Sequence, residues 1–495
     1  MATVATFQEG SGELEVTFQP PLFLQRRGWV FDILRREGVS QVLDVGCGEG
    51  SLISCLCNPA PWLPPPPPSI LETFARPLQQ FTEEKTFLNP TKVVGLDISA
   101  SDLEAAIEDT TPSDWRARWQ PLEVEIWEGG LEAVNPAFAD LDCIVATEVI
   151  EHLPQDILEH FAPVLLGAYQ PRLLLITTPS YTFNARFTAP DAPRSARSGY
   201  LDPTKRTDRI FRHHDHKFEW TPEEFTAWCN AVGETWGYDV EVSGVGKAAG
   251  KDEWGRDEAL GYASQVAAFT RRDGEGWDER RRMRFEQARE TLRSVGNQHK
   301  RLVIHRHIAH EKARQPLPLP ERGEVVKRTL TDLRFSTMML GDLWWEERVA
   351  AACGGWMELL AAAIVNHEEL QLDISGFPMS EWTVKLKDGL PEDNLPLDPE
   401  LEETYNMAEG SPSMSDSDES NELVAPLPLE AGFQSTDGQL SGNLPQCHSR
   451  PTSPWPLSDP DSVWHNNDSQ NQGWDAGADW DSAWTSPLET GTQGW

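Results

Sequence analysis

Apolar positions in "PLFLQRRGWVFDILRRE" (21–37) recur at helical spacing, which predicts an amphipathic helix leading into a core after an irregular stretch over residues 1–20. The pattern then changes. "QVLDVGCGEG" (41–50) is an apolar run broken by glycines, and "SLISCLC" resumes helical character, so the chain makes a strand, a tight turn and a helix. "KVVGLDIS" (92–99), "LEVEIWEGG" (122–130), "LDCIVATE" (141–148) and "PRLLLITTPS" (171–180) read as further strands, with helical patterns between them. Strands alternating with helices imply an α/β fold: a Rossmann-like, mostly parallel sheet flanked by helices.

Three stretches depart from this rhythm. Residues 59–90 open with "PAPWLPPPPP", and consecutive prolines lack backbone donors and favour polyproline II, so this segment is expected to be a surface insertion. From 271 the sequence turns basic and helix-permissive, which predicts a basic, then mixed, helical extension over 271–390 with an Arg-rich helix near 280–314. Residues 391–495 read as a disordered acidic tail, because Arg450 is the single Lys or Arg among many acids from residue 400 onward. The repeating core is then residues 21–270.

A formal net charge of −37 argues against a protein that coats nucleic acid non-specifically, so any nucleic-acid site must be local. The chain shows no secretory leader and no run of about eighteen apolar residues, which excludes a membrane-spanning reading and points to the cytoplasm, with the nucleus as an alternative. Seven scattered cysteines, with Cys55 and Cys57 the only close pair, suit reduced structural thiols better than a zinc site. Oligomeric state is left open by the sequence.

The candidate chemistry lies at strand ends. In "DVGCGEG", Asp44, Gly46, Gly48 and Gly50 are spaced so that backbone can approach a ligand at a strand-to-helix turn. Asp97, at the tip of the next strand, is placed to accept two ribose hydroxyls, and the pattern is GxGxG without the GxGxxG of dinucleotide domains. S-adenosylmethionine is therefore the expected cofactor, ahead of NAD, with Glu128 to Gly130 near its adenine. "EVIEHL" (148–153) follows the fourth strand and sets Glu148, Glu151 and His152 at i, i+3 and i+4, on one face if helical. Such a cluster is ordinarily a solvated face, but this one occupies the sheet edge where α/β proteins hold ligands. "FRHHDHKFEWTPEEF" (211–225) adds His213, His214 and His216 as candidates to complete a mixed oxygen and nitrogen site, suited to Mg²⁺ or Mn²⁺ with open positions.

"VLDVGCGEG", "GLDIS", "EVIEHL", "TTPSYTFN" and "FRHHDHKFEW", in this order, resemble the small RNA 3′-terminal nucleotide 2′-O-methyltransferases over roughly residues 20–270. The resemblance implies a class I methyltransferase fold, metal ligands at Glu148, Glu151, His152 and His216, and cofactor contacts at Gly46, Gly48, Asp97 and Gly130, the last being a position where relatives often carry serine. It further implies that both hydroxyls of the last nucleotide meet the metal and that His152 or His213 takes the proton as a catalytic base.

Between the fifth strand and the histidines, Arg186, Arg194, Arg197, Lys205, Arg206, Arg209, Arg212 and Lys217 read either as a solvated loop or as a basic path for RNA phosphates. In the tail, Trp455, Trp464, Trp474, Trp480, Trp484 and Trp495 resemble the glycine–tryptophan hooks that dock into Argonaute-family proteins, where linked anchors gain from effective concentration. The function expected from the resemblance is metal-dependent 2′-O-methylation that protects small RNA 3′ ends in RNA silencing. The competing readings are a metal-dependent methyltransferase for a small diol and an inactive, Argonaute-binding adaptor.

Overall fold

The computed structural model describes residues 13–67, 70, 88–113, 117–291, 298–374 and 378–390. Its centre is an eight-stranded sheet in the order β10-β3-β2-β1-β4-β5-β9-β8. The five expected strands are β1 (Gln41–Val45), β2 (Lys92–Asp97), β3 (Leu122–Glu128), β4 (Cys143–Thr147) and β5 (Leu173–Pro179). They pair in parallel, in the order 3-2-1-4-5. The mostly parallel α/β fold read from the sequence is borne out.

Burial follows the pleat. Along β4, Ile144 and Ala146 enter one apolar cluster while Cys143 and Val145 enter another on the opposite face of the sheet. Both faces are covered, which is why these strands read as continuous apolar runs and not as alternating ones. The helix Leu22–Arg36 packs Val30, Ile33 and Leu34 into the second of these clusters, as its spacing predicts. Strand order reverses at β1, between its neighbours β2 and β4, and ligands bind at the carboxyl edge of such a switch point.

β5 continues the sheet through two antiparallel strands, β9 (Ser264–Arg271) and β8 (Tyr238–Val245). A short ribbon of β6 (Tyr200–Leu201) and β7 (Ile210–Phe211) stands apart from the sheet.

Three expectations need correction. The basic segment forms a helix over Glu275–Thr291, but residues expected to prolong an Arg-rich helix toward 314 instead form β10 (Lys300–His307), antiparallel to β3. Its Leu-Val-Ile centre is suited to a pleated surface, and without it the edge of β3 would stand unpaired. The sheet therefore does not end at residue 270.

The proline segment is also not wholly on the surface. Leu63 is buried and its N–H donates to the Gly355 carbonyl, while the Pro61 carbonyl accepts the indole N–H groups of Trp119 and Trp344. Finally, the extension is not only helical. β11 (Thr337–Met339), β13 (Thr383–Leu386) and β12 (Leu370–Asp373) form a small antiparallel sheet beside helices Leu319–Asp332 and Met357–Val365, around a third apolar cluster. No described helix is long and apolar enough to cross a membrane. The tail, with all six of its hook tryptophans, lies outside the described residues.

Candidate active site

The turn after β1 is built so that backbone, not side chains, faces the crevice. Gly46 has φ +71°, and a Cβ there would stand 2.5 Å from Val149 Cγ2, so the loops after β1 and β4 meet with no room for a larger residue. Gly48 N–H donates to Asp97 Oδ2 at 2.8 Å, and Ser99 N–H donates to Asp97 Oδ1 at 2.8 Å. These two bonds fix the carboxylate at the tip of β2, while each oxygen keeps a lone pair for a further donor such as a ribose hydroxyl. Behind it Asp44 is buried, its Oδ1 without a partner, and burial and then the charge of Asp97 push its pKa up to about 8. Gly46→Ala is expected to weaken S-adenosylhomocysteine binding at least about tenfold through the left-handed backbone and the Val149 clash, as read by calorimetric titration.

The loop after β3 holds a residue that sequence reasoning missed. His299, on the approach to β10, stacks on Phe138 and its Nε2 lies 2.7 Å from the Gly130 carbonyl. A Cβ on Gly129 would meet the His299 ring at 2.1 Å, and one on Gly130 would meet the Glu132 carboxylate at 2.2 Å. The space beside residue 130 is taken by the Glu132 carboxylate. Nothing local in the sequence marks His299, which reaches this loop from across 169 residues of chain.

"EVIEHL" is not the first turn of an α-helix. Glu148 has φ 55°, Ile150–His152 form a single 3₁₀ turn, and the α-helix begins only at Gln155, since Pro154 bars continuous helix through the preceding residues. Glu148 and Glu151 nonetheless lie against the end of β5. Glu148 accepts the Thr177 hydroxyl at 2.8 Å and pairs with Arg26 at 3.1 Å. Glu151 is fully buried, accepts the Thr178 hydroxyl at 3.0 Å and leaves its other oxygen, Oε1, without a partner. Burial, and then the neighbouring Glu148, push its pKa well above the usual carboxylate range.

The histidine segment closes over this turn. Lys217 N–H donates to the Glu151 carbonyl at 2.8 Å. The ligand nitrogens of His152, His213 and His216 lie within 4.8 Å of one another. His216 directs Nδ1 at Glu219 Oε1, 2.7 Å away, and His152 directs Nδ1 at Asp215 Oδ2, 3.2 Å away. A carboxylate accepts, so both rings carry the proton on Nδ1 and present the Nε2 lone pair. Glu219 is itself buried and also held by Arg212 N–H and the Asn184 amide, which makes it the residue that orients His216. It stands in the "HKFEW" block three residues after His216, the signal from which it was legible.

His213 differs. Its Nδ1 accepts the Asp215 N–H at 3.2 Å, so the ring proton sits on Nε2 and the residue presents a donor. In that tautomer Nε2 offers a hydrogen and not the lone pair that its expected part as a base requires. Burial lowers the pKa of both His152 and His213, aided by His216 for the first and His214 for the second. Neutral rings are the metal-binding form. Among the described residues the three imidazoles are the group whose ligand atoms stand within 4.8 Å of one another, with Glu148 and Glu151 outside it, and neutral imidazoles are donors suited to a divalent cation.

The basic segment divides into two kinds of residue. Arg209 makes a bidentate pair with Glu224, both distances 2.8 Å, and lies over the Tyr181 ring. Arg212 pairs with Glu13 at 2.5 Å, over Phe187, and Arg186 is buried against Asp252. These three brace the fold, against the reading that puts Arg209 and Arg212 on an RNA path. Arg194 pairs with Asp208 at an exposed site, and Arg197, Lys205 and Arg206 are exposed on and beside the β6–β7 ribbon with Tyr200 and Leu201.

A parallel 3-2-1-4-5 core, a glycine turn after β1 and an acidic tip on β2 define a class I, S-adenosylmethionine-dependent methyltransferase fold. No family model matches the chain. Among known proteins, the chain is similar to small RNA 2′-O-methyltransferases, and the resemblance read from the motifs is borne out. It is 31% identical over 264 residues to that of Xenopus tropicalis, covering 52% of this chain and 57% of the relative. It is 30% identical over 254 residues to that of Arabidopsis thaliana, covering 51% of this chain and 23% of the relative. The chain thus spans somewhat over half of the animal relative's length and about a quarter of the plant one's. Among solved structures, the small RNA methyltransferase HEN1 is 27% identical with a TM-score of 0.37, covering 53% of this chain and 27% of that one. The methyltransferase domain of bacterial CtHen1-C is 26% identical with a TM-score of 0.34, covering 51% of this chain and 100% of that one.

Proposed function

We propose that this chain transfers a methyl group from S-adenosylmethionine to the 2′-hydroxyl of the 3′-terminal nucleotide of a small RNA, with Mg²⁺ or Mn²⁺ at the histidine cluster. The observation that carries the reading is the group of three imidazoles, His152, His213 and His216, whose ligand atoms lie within 4.8 Å of one another beside the turn that follows β4. Glu148, Glu151, His152 and His216 would hold the ion, and Glu148 would exchange its Arg26 and Thr177 partners to do so.

Bound there, a divalent ion supplies Lewis acidity, lowering the pKa of a hydroxyl that it touches. The protein's own groups do the rest. Asp97, held by Gly48 and Ser99, fixes the cofactor ribose and so the line of the sulfonium methyl. Glu219 and Asp215 hold their rings in the tautomer that leaves Nε2 open. The 2′-hydroxyl would lose its proton to water as its oxygen attacks the sulfonium methyl, so that the C–S bond breaks and S-adenosylhomocysteine leaves, with His213 Nε2–H at hand to orient that oxygen before attack. Arg194, Arg197, Lys205 and Arg206 are the cations left to meet the phosphates of the strand.

The test is methyl transfer to a short single-stranded RNA with and without chelator. Transfer is expected only with Mg²⁺ or Mn²⁺ and only to a free 2′,3′-diol end. Undiminished transfer after chelation would sink the metal, and equal labelling of a 3′-phosphate RNA would sink the terminal specificity.

In the same reading the modification protects 3′ ends in RNA silencing, and the tail tryptophans Trp455, Trp464, Trp474, Trp480, Trp484 and Trp495 engage an Argonaute-family protein. Replacing all six with alanine is expected to abolish co-purification with that partner while activity on free RNA is unchanged. Retained co-purification would remove the tail from the account.

A further inference from the structure

On the edge of the sheet opposite the catalytic loops lies a cavity of about 590 Å³. Its position follows from topology: it is lined by residues at the ends of helices Ser51–Cys57 and Ala100–Asp109, by the approach to the amino end of β3, and by residues at the end of β10, where His307 pairs with Leu122. Its chemistry is uneven. Arg118 on its wall is only 8% exposed, and its hydrogen-bond partner is the Cys57 carbonyl. Among the described residues no carboxylate stands within ion-pair distance of this guanidinium, and burial lowers its pKa. A guanidinium stays charged in a protein, and a buried charge without an opposite partner is costly, so an anion brought here would relieve a standing penalty.

The surroundings specify the anion further. Arg306 lies on the same wall, 3.2 Å from Glu123, and among the described residues the lining acids are Asp109 and Glu347, the latter engaged by His310 at 3.3 Å. The lining also includes Trp345, whose ring is large and 58% exposed. A buried cation, a second one at the exposed rim and an accessible indole suit a ligand with a phosphate and a flat ring.

We propose that this cavity is a nucleotide-binding site, separate from the catalytic edge, in which Arg118 and Arg306 hold a phosphate and Trp345 stacks on the base. The nucleotide is either free or one unit of an RNA strand. Either source demands the same residues.

The full-length chain, saturated with S-adenosylhomocysteine to close the cofactor site, is titrated with AMP and with a 3′-phosphorylated oligoadenylate that lacks the terminal diol of the catalytic reading. Arg118→Met and Trp345→Ala are each expected to weaken binding of at least one probe roughly tenfold. Loss for both probes assigns a free-nucleotide site, and loss for the oligoadenylate alone assigns a strand contact. Should Arg118→Met fail to fold, Trp345→Ala and Arg306→Glu, at exposed positions, carry the test. No binding of either probe by the wild-type chain, or unchanged affinity for both in folded variants, overturns the proposal, whatever the outcome of the methyl-transfer assay.

Discussion

Replacing His216 with alanine is expected to lower methyl transfer on the order of a thousandfold, while S-adenosylhomocysteine binds as before. The two effects separate because His216 reaches the crevice from the segment after β7, whereas Gly46, Gly48 and Asp97, proposed above to hold the cofactor, lie on the turns after β1 and β2. Glu219 makes the expectation sharper. It touches no substrate, but it fixes the His216 tautomer through a 2.7 Å bond, so Glu219→Ala should cost roughly ten- to a hundredfold, with excess Mn²⁺ recovering part of the loss. His213→Gln keeps a side-chain donor and should lose little. Wild-type activity in His216→Ala under metal-limited conditions would remove this residue from the site. A His213→Gln loss as deep as that of His216→Ala would restore His213 as a base.

The second large effect concerns stability. In the helix Met357–Val365, Glu358 is buried in the core of the extension, its Oε2 without a partner, and burial pushes its pKa up to about 7. In the unfolded chain the same carboxyl titrates near 4.3. Between those values the unfolded state gives up a proton that the folded state retains, so stability fully present at about pH 4 is lost as pH rises toward 7 and stays lost above it. Glu358→Gln should therefore gain on the order of 3 kcal/mol over wild type at about pH 8.5 and almost nothing near pH 4. Urea denaturation at both pH values checks it. A difference independent of pH would show that the gain comes from packing and not from the proton.

The parallel core was readable because its strands are buried on both faces and bounded by glycine turns, so apolar runs such as "CIVAT" had no competing interpretation. The cofactor turn was readable for the same reason: a glycine with no room for a Cβ leaves a mark in the sequence. β10 was not readable, since an Arg- and His-rich run permits a helix, and only the waiting edge of β3 makes it a strand. Leu63 was hidden among prolines that suggest solvent, although it anchors a core supplied from far along the chain. The site was legible as a set of residue types and not as a set of roles. The tautomer of His213 depends on one backbone N–H, and whether Arg209 is a phosphate ligand or a brace depends on Glu224, which lies fifteen residues on.

The pairing of β10 with β3 also bears on how the protein is made. Lys300 meets Glu128, so the outer edge of β3 stays unpaired until the ribosome has added the intervening residues, which at ordinary synthesis rates takes roughly ten to thirty seconds. During that interval β3 offers an open edge to any other strand in reach. A fragment stopped at residue 270 would hold that edge open permanently and would lack His299 over the Gly129 turn, so self-association is the fate expected of a methyltransferase domain cut where the alternating pattern stops.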